Sequence, residues 1–196
     1  MGDLISKLGP REAGAAVIPR DTESKELLGQ LRASPSEYSG VIEAALRDPR
    51  MIELYHMNPR AGAALGQLAG REQTWGAAAY SPEGGGKPQV YITPATSSMF
   101  EAIRQPNHPW MGRVINEAPP VEKTTAHELG HVVGGPVARD LEYRDLDSEI
   151  IADLVALNPT TSELAQLLNG DEKLIAQYGD VLHGALGSRA RVLSRE

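Results

Sequence analysis

The chemically most informative stretch of the sequence is His127-Glu128-Leu129-Gly130-His131, in which two histidines flank a glutamate. Residues four positions apart on a helix project from the same face, so the imidazoles of His127 and His131 can bind one metal ion. Imidazole is a common zinc ligand in proteins. The residue types and their spacing therefore predict a zinc site on a helix.

A helix of about four turns has to carry this motif. A pair of prolines at 119 and 120 favours its start, and Glu122 lies where the helix dipole favours an anion. The sequence Gly134-Gly135-Pro136 predicts its end. The side opposite the histidines is suited to burial, because it carries Val121, Thr125, Leu129, Val132 and Val133.

A third protein ligand is expected for a catalytic zinc, and the sequence offers two acidic candidates. Glu149 lies 18 residues after His131, in a predicted helix that Ser148 or Asp147 can cap. Asp153 follows one turn later, where its carboxylate can accept the N–H of a metal-bound histidine. The alternative ligand is Asp140, 9 residues after His131. We favour Glu149.

Two classes of zinc peptidase fit the sequence less well. Metzincins need a third histidine where this chain has Val137, and a methionine after the motif, whereas the last methionine here is Met111. That class is excluded. The segment Asp140-Leu141-Glu142-Tyr143 resembles the Asp-x-x-Tyr of aspzincins, but Val137 and Arg144 stand where that motif has glycines.

The motif together with Glu149-Ile150-Ile151-Ala152-Asp153 resembles the gluzincin class of zincin metallopeptidases, over about residues 88–158. Within this class the chain is similar to compact bacterial effector and toxin peptidases, such as the NleD-like type III effectors and the peptidase domains of type VI secretion proteins. The ImmA/IrrE-like group is a second relative, because its E-x-x-A-[ND]-x-x-A pattern is matched through Ala156. The spacing from strand to motif is longer here than in that group, and no helix-turn-helix is evident.

The resemblance implies one Zn²⁺ per chain, bound by His127, His131 and Glu149, with Asp153 hydrogen-bonded to a liganding histidine. It also implies that Glu128 accepts the proton of the attacking water and delivers it to the leaving amine.

Gluzincins often stabilise the oxyanion with a later His, Tyr or Arg. His183 is the first candidate for this catalytic role, followed by Tyr143 and Tyr178. Tyr91 and Thr93 are expected to face the cleft, on a strand whose backbone can pair with an extended substrate.

The elements around the motif predict an α+β fold: a single zincin-like domain over residues 25–196, after a flexible lead-in at 1–24. It is expected to be mostly helical, with a small β-hairpin or sheet lining the cleft. The hairpin strands are predicted at Thr74–Tyr80 and Gln89–Thr93, joined by a glycine-rich loop. Helices are predicted at Glu23–Arg32, at 34–46, at Met51–Met57, at Ala61–Leu68, at Ser98–Arg104 and twice within Thr161–Leu186.

Composition excludes several other classes. The 196 residues contain no cysteine, which excludes thiol catalysis and Cys-ligated metal sites. The net charge is −7 without a dense Lys/Arg cluster, which argues against nucleic acid as the main partner. No apolar run reaches the roughly 18 residues of a membrane span, and the first 14 residues lack the apolar core of a secretory signal peptide.

We therefore expect a zinc-dependent endopeptidase that acts on a protein or peptide. It is expected to be a bacterial effector or toxin exported by a specialised secretion system, with an immunity protein or the secretion apparatus as further candidate partners. Two alternatives stay open. One is a cytoplasmic ImmA/IrrE-like regulator, and the other is a binding module that contains zinc without catalysis.

Overall fold

A computed structural model describes residues 17–33, 36–57, 76–79, 86–92 and 120–193. Within these residues the fold is α+β, as predicted: a single, mostly helical domain with a small mixed sheet. None of the described helices combines the length and apolarity needed to cross a bilayer. The strands are β1 (Val17–Pro19), β2 (Ile52–His56), β3 (Gly76–Ala79) and β4 (Gln89–Ile92), and the helices are α1 (Thr22–Ala33), α2 (Ser39–Ala45), α3 (Pro120–Asp140), α4 (Ser148–Leu157), α5 (Thr161–Leu167) and α6 (Glu172–Leu186).

The four strands lie in the order β1-β2-β4-β3. β2 is parallel to both β1 and β4, whereas β3 and β4 form the predicted antiparallel pair. One face of the sheet is buried in the core through Val17, Ile52, Leu54, Val90 and Ile92. Because β4 is paired on both sides, β3 is the edge strand next to it within the described residues, and its main chain is the one placed to meet a further strand.

The prediction of a helix at Met51–Met57 is wrong, because this segment is strand β2. Ile52 and Leu54 are 0% and 1% exposed and alternate with polar residues, which is the period of a strand. Met51 has a φ of 61°, a left-handed conformation that interrupts any helix before the strand begins. Pairing to a strand on each side outweighs the local helix propensity of the segment.

The described residues begin at Val17, inside the range 1–24 that is predicted to be a flexible lead-in. β1 pairs Val17 with Ile52, and α1 begins at Thr22. The predicted helices near 23–32 and 34–46 are confirmed as α1 and α2, and the two carboxyl-terminal helices as α5 and α6. Residues 1–16 and the helices predicted at Ala61–Leu68 and Ser98–Arg104 lie outside the described residues.

The prediction that the motif helix ends at its Gly-Gly-Pro sequence is also wrong, because α3 continues through Pro136 to Asp140. Proline has no N–H, so the carbonyl of Val132 loses its helical donor. The guanidinium of Arg50 takes that place, and its Nη2 donates to the Val132 oxygen at 2.6 Å. Asp48 holds the guanidinium in position, with Arg50 Nε 2.8 Å from Asp48 Oδ1. A side chain from the loop before β2 thus completes the motif helix.

We expect Arg50→Ala to lower the free energy of unfolding by about 1–3 kcal/mol, because it leaves the buried Val132 carbonyl without a donor. The loss should shrink in a Pro136→Ala background, where residue 136 regains an N–H. Arg50→Ala also removes the contact between Arg50 and Asp48. Because this loss occurs in both backgrounds, its free energy cancels in the double-mutant cycle. Thermal unfolding of the four proteins measures the coupling, and equal losses in the two backgrounds would contradict this account.

Candidate metal centre

The candidate centre depends on the close approach of α3 and α4. A Cβ at Gly130 would lie 2.3 Å from the carbonyl oxygen of Ala152, and one at Gly134 would lie 2.8 Å from methyl groups of both Ile151 and Val155. Such distances are shorter than van der Waals contact. The two glycines therefore let the backbone of α4 lie against α3, and this contact brings the acidic residues of α4 to the histidines.

Three side chains converge at this crossing: His127, His131 and Glu149. The two Nε2 atoms lie 3.1 Å apart. The Glu149 carboxylate lies 3.1 Å from Nε2 of His127 and 3.6 Å from Nε2 of His131. Ligands of a tetrahedral zinc at 2.0–2.1 Å are about 3.3 Å from one another. The donor types and their separations suit a metal ion, so the group could hold one.

Asp153 fixes the orientation of the first histidine. Its Oδ1 lies 2.7 Å from Nδ1 of His127, and both side chains are largely buried. A ring nitrogen that donates to a carboxylate leaves the other nitrogen to face the metal. The predicted contact between Asp153 and a liganding histidine is therefore present, and it directs Nε2 of His127 toward His131 and Glu149.

Charge holds His127, Glu149 and Asp153 together. Burial disfavours the imidazolium of His127, but the hydrogen bonds to Asp153 and Glu149 outweigh this effect and raise its pKa to about 10. Hydrogen bonds from His127 and His131 lower the pKa of Glu149 far below its usual range. The two carboxylates therefore favour positive charge at this position.

The first turn of α4 is fixed by Asp147, one of the two residues predicted as its cap, the other being Ser148. The carboxylate of Asp147 accepts from the backbone N–H of Glu149 at 2.8 Å and of Ile150 at 3.4 Å. This capping satisfies donors that the helix itself cannot. It starts the helix at the residue before Glu149, so that the side chains of Glu149 and Asp153 point along one face toward α3.

Asp140, the alternative third ligand, is not part of this group. Its side chain is 77% exposed and lies 4.0 Å from the Nε of Arg139. Because α3 continues through Pro136, the nine residues between His131 and Asp140 rotate the side chain by about 180° around the helix. The aspzincin-like reading needed the chain to turn back after the motif, and the continuous helix prevents it.

Three residues expected to stabilise an oxyanion lie outside the metal group. The hydroxyl of Tyr143 donates to the Asp180 carboxylate at 2.8 Å, which ties the loop before α4 to α6. The Nε2 of His183 is buried and has no hydrogen-bond partner among the described residues. Tyr178 is 3% exposed, and burial raises the pKa of its hydroxyl. None of the three belongs to the metal group.

Tyr91 lies on the sheet face opposite the core. Its ring stacks on Tyr55 at 5.0 Å between centroids, and its hydroxyl donates to Gln89 at 2.9 Å. The neighbouring Val90 and Ile92 point the other way, into the core. Tyr91 therefore points away from the core, and its expected position facing the cleft stays a prediction; Thr93 lies outside the described residues.

Sequence reasoning missed two residues that shape the centre. Arg50 carries no motif, because its role depends on a carbonyl 82 residues away. Gly130 is part of the motif, but its spacing to Gly134 is also the small-xxx-small pattern of closely packed helices. That spacing was a usable signal, whereas nothing local marks Arg50.

We expect Gly130→Ala to separate α4 from α3, because the new methyl group overlaps the Ala152 backbone. Zinc affinity should fall by about 10–100-fold, as for other losses of ligand positioning. Competition with a chromophoric chelator measures this. Gly29→Ala is the control, since a Cβ there meets nothing within 4 Å. Zinc binding by Gly130→Ala within threefold of the parent protein would contradict the packing argument.

We expect zinc binding at pH 7 to release about one proton, because the pKa of His127 is raised to about 10 and the metal requires the neutral ring. Affinity should rise about tenfold per pH unit as this proton is lost. Calorimetry in buffers of different ionisation enthalpy counts the proton. Asp153→Asn removes a carboxylate that favours the charged ring, so fewer protons should be released. A heat independent of buffer would contradict the assignment.

Comparison with known proteins gives no relative for this chain: no protein-family model matches it, and neither does any curated protein or solved structure. The feature that indicates a function is therefore the convergence of His127, His131 and Glu149, with the residues around them.

Proposed function

We propose that this protein is a zinc-dependent endopeptidase that uses the gluzincin arrangement of residues. The observation that carries the proposal is the convergence of His127, His131 and Glu149 at separations suited to zinc, with Glu128 next to the first ligand on the same helix. The contact of Asp153 with His127 adds the hydrogen bond that liganding histidines usually make.

The number of donors favours a catalytic over a structural zinc. Structural sites usually surround the ion with four protein ligands, whereas catalytic sites use three and keep one position open. Among the described residues three side chains gather, and the carboxylate of Glu149 is 48% exposed. A site of this kind leaves room for water and substrate.

The chemistry proposed for the centre divides between the metal and Glu128. A bound zinc ion supplies Lewis acidity, which makes a water molecule more acidic and polarises a peptide carbonyl. Glu128 is 7% exposed, and a carboxylate in such a place is suited to accept the proton of the attacking water and return it to the leaving amine. Asp153 keeps His127 oriented throughout.

The proposed position of the substrate is the edge of β3. Within the described residues β3 ends the sheet and packs on α3, whereas β4 is paired on both sides. An extended peptide can add a strand to such an edge through main-chain hydrogen bonds. The sequence prediction had given this role to β4. The proposal that the enzyme is a bacterial effector or toxin rests on the sequence resemblance alone.

We expect the purified protein to contain about one zinc per chain, measured by inductively coupled plasma mass spectrometry. Glu128→Gln should keep the metal and cleave a proteome-derived peptide library about 10²–10⁴-fold more slowly, because it removes the proton acceptor. His127→Ala should lose both metal and cleavage. Cleavage by Glu128→Gln at the parent rate would reject the mechanism.

Asp140→Ala is the matched control for the third ligand, since it removes an exposed acid on the opposite side of α3. It should retain metal and cleavage, whereas Glu149→Ala should lose both. A reversal of these two results would reassign the ligand.

A further inference from the structure

The edge strand β3 makes an unusually close contact with Glu128. Gly76 lies opposite Ile92 in the β3–β4 ladder, so it faces the same side of the sheet as this buried residue. That side packs against α3, the helix that carries Glu128. Gly76 is therefore the residue of β3 that meets the acid next to the first histidine.

The contact leaves no room for a side chain at residue 76. A Cβ added to Gly76 would lie 2.5 Å from Oε1 of Glu128, 2.6 Å from its Cγ and 2.8 Å from its Cδ. The overlap is with the middle of the glutamate side chain as well as its end. Even alanine, the smallest substitution, would force the whole Glu128 side chain to move.

We propose that Gly76 is a positioning residue for Glu128. Because Gly76 has no side chain, the side chain of Glu128 can pack directly on its Cα. This inference deepens the proposed function and rests on it. A general base must stay within about 2.6–3.2 Å of the proton that it accepts. A strand in direct contact with the general base keeps it at that distance. Through Gly76, the strand edge that is proposed to bind substrate also contacts Glu128.

The metal ligands are held by other contacts. His127 is oriented by Asp153, and the first turn of α4 by Asp147. The three nearest atoms to a Cβ at residue 76 all belong to Glu128. A substitution at Gly76 should therefore disturb the base and leave the metal in place.

The test compares Gly76→Ala with Glu128→Gln, in otherwise complete protein. Gly76→Ala should bind zinc within about threefold of the parent protein. With Co²⁺ as the probe, the pH midpoint of the visible absorption bands should move to the value found for Glu128→Gln. For the library peptide that the parent protein cleaves fastest, the kcat of Gly76→Ala should be at least about 100-fold lower, with little change in KM. Gly86→Ala, where a Cβ meets nothing within 4 Å, should match the parent in all three measurements.

A double-mutant cycle with Glu128→Ala tests the contact through stability. Glu128→Ala removes the three atoms that a methyl group at residue 76 would overlap, so Gly76→Ala should lower the melting temperature only when Glu128 is present. If Gly76→Ala alone fails to fold, the double variant should fold and bind zinc. Equal destabilisation in both backgrounds would overturn the inference.

The outcomes separate the two proposals. If Glu128→Gln changes the cobalt spectrum and cleavage while Gly76→Ala behaves as the parent protein, the role of Gly76 is wrong and the proposed function stands. If Glu128→Gln itself changes neither, the proposed function fails, and with it the inference built on it.

Discussion

The contact between the backbones of α3 and α4 is the constraint on which the candidate centre depends. Residues 130 and 134 have no side chains, so the carbonyl of Ala152 can approach the surface of α3. At the distance of an ordinary helix pair, about 8–10 Å between axes, the carboxylates of α4 would stand farther from the histidines. The close approach puts Glu149 and Asp153 within hydrogen-bond distance of His127. The ability of these side chains to bind a metal therefore depends on how α3 and α4 pack.

Charge then organises what packing has brought together. Two carboxylates meet two imidazoles in a partly buried place, where Coulomb interactions are stronger than in water. These interactions raise the pKa of His127 to about 10. The same two carboxylates favour a divalent cation beside the imidazoles, so the electrostatics of the group suit a metal ion.

The surrounding elements support the centre from residues distant in sequence. Arg50 supplies the hydrogen-bond donor that Pro136 lacks, so the motif helix continues for a further turn and directs Asp140 away from the site. Along that extra turn, a Cβ at Gly184 of α6 would lie 2.3 Å from Val137, so α6 also packs closely on α3. On the other side, β3 touches Glu128 through Gly76. The motif helix is thus held by contacts on several faces.

The sequence by itself determined the local features of this protein. The spacing of His127 and His131, the cap at Asp147 and the alternation in β4 depend on neighbours along the chain, and local physics decides them. Tertiary structure alone brought Glu149 rather than Asp140 to the two histidines, made a strand of the segment predicted as a helix and carried α3 past Pro136. Each of these outcomes depends on a partner far away in the sequence, which is a neighbouring strand, a guanidinium or another helix. The free energy of that contact exceeds the local conformational preference of the segment.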